Sequence, residues 1–343
     1  MHNHSGFLLA RRKLLALASL AASGAVLLGV LVASGGVATA HRVAHAAKQY
    51  TIALVPGLTV DPFYITMHNG AEAEAKKLGV KLIWQGGTTF SPTTQIPVVD
   101  ALLAKHPSAL LIAPTDVKAL RAPIERFVKA GIPVISVDTT LNDTAILKAR
   151  ITSDNLQGGA QAAIGLAKLA HYRGDVAVDN VAPGISTTDL RVQGFLRQMK
   201  KYKHMHVVGV EYNNDSATTA ESQVRNLLLA HPNLVGVFAT NLYGAQGAGT
   251  AISALGKERK VFVAAYDAEP ATVKLLKKGA INVLVIQQPA VEGRDGVLYA
   301  YDELTGKAKL VPKVTLVPNV LATTATASKK SISKYYYQTS LKG

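Results

Sequence analysis

Short polar and aromatic side chains gather where the apolar runs of this sequence stop. Asp61, Phe63 and Tyr64 follow "TIALVPG", Asp138 ends "IPVISVD" with Thr139 next, and Thr115 and Asp116 end "ALLIAPTD". Farther on, Asn213 and Asp215 follow "HVVGVEY", Asn241 ends "LVGVFATN", Asp267 ends "KVFVAAYD", and Gln287 lies in "INVLVIQQP". Carboxylates accept hydrogen bonds, amides donate and accept them, and rings cover apolar faces. Such a set describes a hydrogen-bonding cleft rather than a reaction centre. The chain has no cysteine, which excludes thiol catalysis, disulfides and cysteine zinc sites. Neither H-E-x-x-H nor G-x-S-x-G occurs, so hydrolase mechanisms lack a starting residue. His204 and His206 flank Met205 with no acidic partner arranged for a metal. "GAQGAG" at 244–249 has the spacing G-x-x-G-x-G and begins inside a helix; it reads as close helix packing, not a dinucleotide loop. Neither a metal nor a cofactor is expected.

The elements that must position these residues alternate regularly. After residue 47, continuous apolar runs are separated by helical stretches, several of which end in Gly, as in "AKKLGV", "FVKAGIPV" and "LKKGAINV". Continuous apolar strands joined by helices indicate a parallel sheet covered on both faces. The alternation restarts near "AILKARITSDN" and closes with one extended stretch, "KVTLVPNVL". Ten or so strands exceed one comfortable open sheet, so two similar α/β lobes are expected. In such sheets ligands lie beyond the carboxyl ends of the strands. Asp61 also suits a plain helix cap, with Pro62 at the first helical position, Glu72 and Lys76 paired one turn apart and Gly79 ending the helix. On that reading Phe63 and Tyr64 are core, and the two roles can coexist. The stretch from Ala322 to Gly343 is rich in Thr, Ser and Lys, and a loosely packed tail is expected there.

Residues 1–46 differ in kind. Arg11, Arg12 and Lys13 precede an uncharged run from Leu14 to Val32, and Ala38-Thr39-Ala40 and Ala44-His45-Ala46 each fit an A-x-A cleavage site. The segment reads as an export leader, by the general or the twin-arginine route; the alternative is an uncleaved anchor. Without cysteine it is not a lipoprotein. Net charge is +15, and +11 remains once the leader's four basic residues are set aside. The lysines and arginines are dispersed, many near helix ends, and no basic block is interleaved with aromatics as single-strand binders require. No nucleic-acid partner is expected, and the only membrane contact expected is through a transporter or an uncleaved leader.

In order, "IALVPGLTVDPFY", "LLIAPTD", "GIPVISVD", "SDN" at 153–155, "RVQGF", "LLLAHPNLVGVFATN", "VAAYD" and "VIQQP" resemble the periplasmic sugar-binding proteins of the ribose/galactose type, over roughly residues 48–320. The resemblance implies an α/β fold of two Rossmann-like parallel-sheet lobes joined by three crossovers around one ligand cleft. The lobes would comprise residues 48–152 with about 289–315, and 153–288 with about 316–325, leaving 326–343 as a tail. It implies a monomer that hands a sugar or related polyol to the permease subunits of an ABC importer; the same fold can instead serve a chemoreceptor, a sensor kinase or a furanosyl quorum signal. It places ligand contacts at Asp61, Phe63, Tyr64, Asp138, Arg191, Asn241, Asp267 and Gln287. Two further positions depart from the family's ribose binders: Thr139 where they carry Arg, and Asp215 where they carry an aromatic. Leu242 stands where they have Asp. Ribose itself is therefore disfavoured as the ligand.

Overall fold

The structure is a computed structural model that describes residues 49–342; the leader read from residues 1–46 lies outside them. Along the chain come β1 (Thr51–Val55), α1 (Pro62–Leu78), β2 (Lys81–Trp84), α2 (Pro92–Ala104), β3 (Ala109–Ile112), α3 (Arg121–Lys129), β4 (Val134–Val137) and β5 (Ala149–Ser153). There follow α4 (Asn155–Leu169), β6 (Arg173–Asn180), α5 (Ser186–Met199), β7 (His204–Tyr212), α6 (Ala217–Ala230), β8 (Leu234–Ala239), α7 (Leu242–Ala254), β9 (Phe262–Tyr266), α8 (Pro270–Lys278) and β10 (Val283–Ile286). Last are α9 (Pro289–Leu304), β11 (Val314–Val317), β12 (Val320–Thr323) and the short α10 (Lys330–Ser333). Two six-stranded sheets result, ordered β11-β5-β4-β3-β1-β2 and β12-β10-β9-β8-β6-β7. The first is parallel throughout; in the second only β12 runs antiparallel.

Register explains why distant acids converge. Val55 lies level with Ile112, and Ile112 with Ser136, so the segments leaving β1 and β4 depart from the same edge. Ala239 is level with Ala265 and with Asp179, which does the same for the residues after β6, β8 and β9. Residues at or shortly after strand ends take the left-handed region: φ is +62° at Asp138 after β4, +73° at Asp267 after β9 and +60° at Asp215, three residues past β7. Among non-glycine residues Asp tolerates that region well, because its short side chain can bond locally.

A crossing built on a reciprocal pair of glycines occurs in each lobe. A Cβ on Gly70 of α1 would lie 2.1 Å from Ala290 O, and one on Gly293 of α9 would lie 2.1 Å from Met67 O. In the other lobe a Cβ on Gly194 of α5 would lie 2.0 Å from Leu156 O, and one on Gly159 of α4 would lie 2.0 Å from Arg191 O. No side chain fits at these crossings, so the backbones touch. Each helix that enters a lobe from a crossover, α9 or α4, is thereby locked onto that lobe's first helix.

Two readings of the sequence are corrected by the coordinates. "KVTLVPNVL" is not one closing element. Pro318 lacks an N–H and interrupts the run, Asn319 Nδ2 donates to Asp154 O at 2.8 Å, and the halves join opposite sheets as β11 and β12. The tail expected to be loose is packed: Ala327 and Tyr337 are buried. Gln338, Ser340 and Lys342 bond to Asn69 or Thr66 on α1. Polar composition concealed it, because these bonds run to side chains of α1 rather than to a ladder of its own.

Candidate functional site

Asp61 caps α1: its backbone is extended and Oδ1 accepts from Phe63 N at 2.8 Å. With Pro62 inside the first turn, this cap fixes where Phe63 and Tyr64 emerge. Both rings are buried and meet edge to face, centroids 5.0 Å apart. Tyr64 Oη donates to Asp138 Oδ2 at 2.7 Å. Cap and core thus coexist with a third role, because all three residues line one cavity between the sheets.

The opposing wall is organised by Arg191. Its guanidinium donates from Nε to Asn155 Oδ1 (2.7 Å), from Nη1 to Thr240 O (2.8 Å) and from Nη2 to Gln287 Oε1 (2.7 Å), and lies 4.1 Å from the centroid of the Tyr266 ring. Gln287 in turn donates from Nε2 to Asp267 Oδ1 at 2.7 Å. Asn241 caps α7 by accepting from Gly244 N at 3.0 Å, while its Nδ2 donates to Asp215 Oδ1 at 2.7 Å. Asp215 is itself held by Asn213, whose Oδ1 accepts from the Asp215 N–H at 2.8 Å.

All ten residues singled out from the sequence, Thr139 and Asp215 included, line this cavity of about 50 Å³. Where one water needs roughly 10–15 Å³, that is room for roughly three to five water-sized groups. The sequence reading missed Phe90, Val181, Ile185, Thr187, Thr188 and Leu242 as wall residues. Strand ends also overreach as a guide. Thr115 bonds to Gln95, Asp116 caps the turn at Lys118 and Ala119, and Asn213 donates to Asp179; none of the three lines the cavity.

Four carboxyls face one guanidinium across this space. Burial pushes the Asp138 carboxyl up to about 6, against the pull of Arg191 and the Tyr64 hydroxyl. Burial, with Asp267 nearby, lifts Asp215 to about 6 as well, against the Asn241 amide. Asp61 is raised well above the carboxylate range by burial, with Asp267, Asp215 and Asp138 adding to the effect and the Phe63 N–H opposing it. Burial raises Asp267, opposed by Arg191, Gln287 and Tyr337. Two buried hydroxyls of the wall, Thr139 Oγ1 and Thr188 Oγ1, have no hydrogen-bond partner among the described residues. A buried polar atom left unpaired costs about 1–3 kcal/mol, so a guest carrying several hydroxyls would be matched on every side. Among the described residues no group of three or more His, Asp or Glu side chains is placed to hold a metal.

Residues 52–308 match the family described as periplasmic binding protein domain. A ribose import binding protein of Bacillus subtilis (strain 168) is 32% identical over 260 residues, which are 76% of this chain and 83% of that relative. An ABC transporter solute binding protein of Agrobacterium vitis, solved with bound alpha-D-tagatopyranose, is 39% identical with a TM-score of 0.82, covering 84% of this chain and 100% of that one. A carbohydrate transporter solute binding protein of Agrobacterium radiobacter, in complex with D-arabinose, is 33% identical with a TM-score of 0.80, covering 84% and 99%.

Proposed function

The chain belongs to the periplasmic binding protein domain family, and on that footing we propose that it captures a monosaccharide or related polyol between its lobes for delivery to an ABC importer. The observation that carries this reading is the composition of one wall set: four carboxyls, Arg191, amides and two unpartnered hydroxyls around a cavity backed by rings. Sugar hydroxyls donate to Asp61, Asp138, Asp215 and Asp267 and accept from Arg191 and Asn241, while Phe63, Tyr64 and Phe90 cover a C–H face. Hydrogen bonds to charged groups contribute about 1.5–3 kcal/mol each, and a misplaced hydroxyl forfeits a similar amount. That asymmetry selects among epimers. The site residues act by binding, without a chemical step. Because both lobes touch one guest, binding favours the closed pair, and the permease subunits read that closure; hinge closure of such proteins is the general precedent.

Thr139 offers a hydroxyl where ribose binders of the resembling type carry Arg, and Leu242 offers no polar group where they carry Asp. D-ribose is therefore expected to bind more weakly than the best ligand. The leader is assigned to export, with cleavage near residue 40 or 46, so that a monomer works outside the cytoplasm; N-terminal sequencing of the exported protein tests this.

The deciding experiment is a thermal-shift screen of the purified protein against D-ribose, D-arabinose, D-tagatose, D-galactose, D-glucose and myo-inositol, followed by calorimetric titration. A ligand at one hundred times its Kd stabilises by about 2.7 kcal/mol, a shift of several degrees. No shift with any of these compounds would sink the reading.

A further inference from the structure

The end of the chain enters the site from behind. Tyr337 is buried, its N–H donates to Ala268 O at 2.9 Å, and its hydroxyl donates to Asp267 Oδ1 at 2.9 Å. Its ring meets that of Phe63 at a tilted edge, centroids 5.8 Å apart. Ala268 and Asp267 follow β9 in one lobe, whereas Phe63 belongs to α1 in the other. The next residues continue onto α1: Gln338 N donates to Thr66 Oγ1 at 2.7 Å, Asn69 Nδ2 donates to Gln338 Oε1 at 2.7 Å and to Ser340 O at 2.9 Å, and Lys342 N donates to Asn69 Oδ1 at 2.7 Å. The segment therefore crosses between the lobes a fourth time, after the three crossovers that join the sheets.

The chemistry is directional. Oδ1 of Asp267 receives two donors, Gln287 Nε2 and Tyr337 Oη, and two bonds to one oxygen fix the plane of the carboxylate. That plane sets the direction in which Asp267 can accept from a guest, while the same tyrosine backs the Phe63 ring against the cavity. Neither contact reaches the guest directly, since Tyr337 is not part of the cavity wall.

We propose that Tyr337 is a positioning residue of the sugar site, orienting Asp267 and Phe63, and that the segment carrying it is a strap that holds the lobes together around the guest. This rests on the sugar-binding reading for its affinity arm only. In the full chain, Tyr337→Phe removes one hydroxyl and keeps the ring. It should weaken binding of the tightest sugar from the screen by about tenfold. Tyr336→Phe is the control, because the Tyr336 hydroxyl bonds to Ala327 O within the tail; its affinity should match wild type. Equal losses in the two variants, or none in Tyr337→Phe, would overturn the positioning role. Asn69→Ala removes three of the four hydrogen bonds named above between the strap and α1, leaving that of Gln338 N to Thr66 Oγ1, without touching the cavity wall. Spin labels on the two lobes of the ligand-free protein should report a longer or broader distance in Asn69→Ala than in wild type; identical distributions would overturn the strap. Should wild type bind none of the sugars, the functional reading falls while the distance measurement still decides the strap.

Discussion

In the N-terminal lobe the acid that ends the fourth strand, Asp138, receives a hydroxyl from the lobe's own first helix through Tyr64; in the C-terminal lobe the matching acid, Asp267, receives one from the far end of the chain through Tyr337. The two lobes are otherwise built alike. Each places its fourth-strand acid at positive φ, and each locks its entering helix onto its first helix through a pair of glycines. Those glycine contacts set a register: Met67 lies three residues before Gly70 as Arg191 lies three before Gly194, and Tyr64 then corresponds to Thr188. Where one lobe has an apolar residue and a ring, the other has a buried cation and a free hydroxyl. The difference divides the labour. Each wall carries two of the four carboxyls, but one adds the rings Phe63, Tyr64 and Phe90, which on the proposed reading would cover the apolar face of a guest, and the other adds Arg191, the only base among the described residues of the lining.

The largest effect should come from making the lobes alike. Arg191→Met gives the second wall the residue of the first. It strips donors from Asn155, Thr240 and Gln287 and leaves Asp138 and Asp267 without a counter-charge. Removing one partner of a buried charged pair costs about 3–5 kcal/mol, so urea denaturation at neutral pH should show a loss of that order, and calorimetry a loss of affinity exceeding about a hundredfold. Retained affinity in a folded variant would mean that the cation serves the fold alone.

Acid titration comes next in size, and it tests whether the walls share one electrostatic problem. Asp138 and Asp215 sit in different lobes, yet both are pushed up to about 6 by burial. A carboxyl whose folded value is raised holds its proton where the unfolded chain has lost it. Stability therefore declines as pH rises from the ordinary carboxylate range to about 6, and the cost is fully present above that. The ligand-free protein should melt a few degrees higher near pH 5 than near pH 7.5, provided the other groups change little over this span. Asp138→Asn should raise the melting temperature near pH 7.5 and change little near pH 5. Sugar affinity should move the opposite way, falling below about pH 6 as acceptors take up protons. A melting temperature that is flat across this range would show that the acids are better solvated than their burial indicates.

Much of this geometry was legible in the sequence, for a physical reason. A parallel strand buried on both faces must be apolar along its length, so the first short polar residue after it marks the carboxyl edge of the sheet, where Asp138, Asn241 and Asp267 lie. Arg191 sits mid-helix, where no edge marks it, and was found through the "RVQGF" resemblance. Thr187 and Thr188 escaped both rules. They were readable by setting the halves of the chain side by side, since "VPGL" at 55–58 and "APGI" at 182–185 each follow a first strand. Phe90 had a fainter signal, a lone ring in the polar stretch "GGTTFSPTT". Tyr337 was hidden by its surroundings: composition speaks for average solvation, and three consecutive tyrosines at 335–337 in a Lys-rich tail were the exception that burial later explained. The resemblance put a lobe boundary inside "KVTLVPNVL" at about 315/316, and the structure places the crossing a little later, at Pro318 and Asn319 between β11 and β12; the proline, which cannot donate to a ladder, was the signal for the exact position.

The smallest predicted effect sharpens the comparison most finely. Thr139 in one wall and Thr188 in the other each bury a hydroxyl that has no hydrogen-bond partner among the described residues. Replacing either by Val keeps the branched shape and removes the unpaired oxygen. Without ligand, each substitution should leave stability unchanged or raise it by up to about 1 kcal/mol, because a desolvated, unsatisfied group disappears. With sugar, each should weaken binding a few-fold if its oxygen meets a guest hydroxyl. Thr188 occupies the position of Tyr64, but unlike the Tyr64 hydroxyl its own bonds no acid among the described residues; on the proposed reading it is open to a guest. Comparing calorimetric affinities of Thr139→Val and Thr188→Val separates the walls. Unequal losses identify the lobe that grips the hydroxyl, and the absence of any loss in Thr188→Val would mean that this wall presents its hydroxyl to water rather than to sugar.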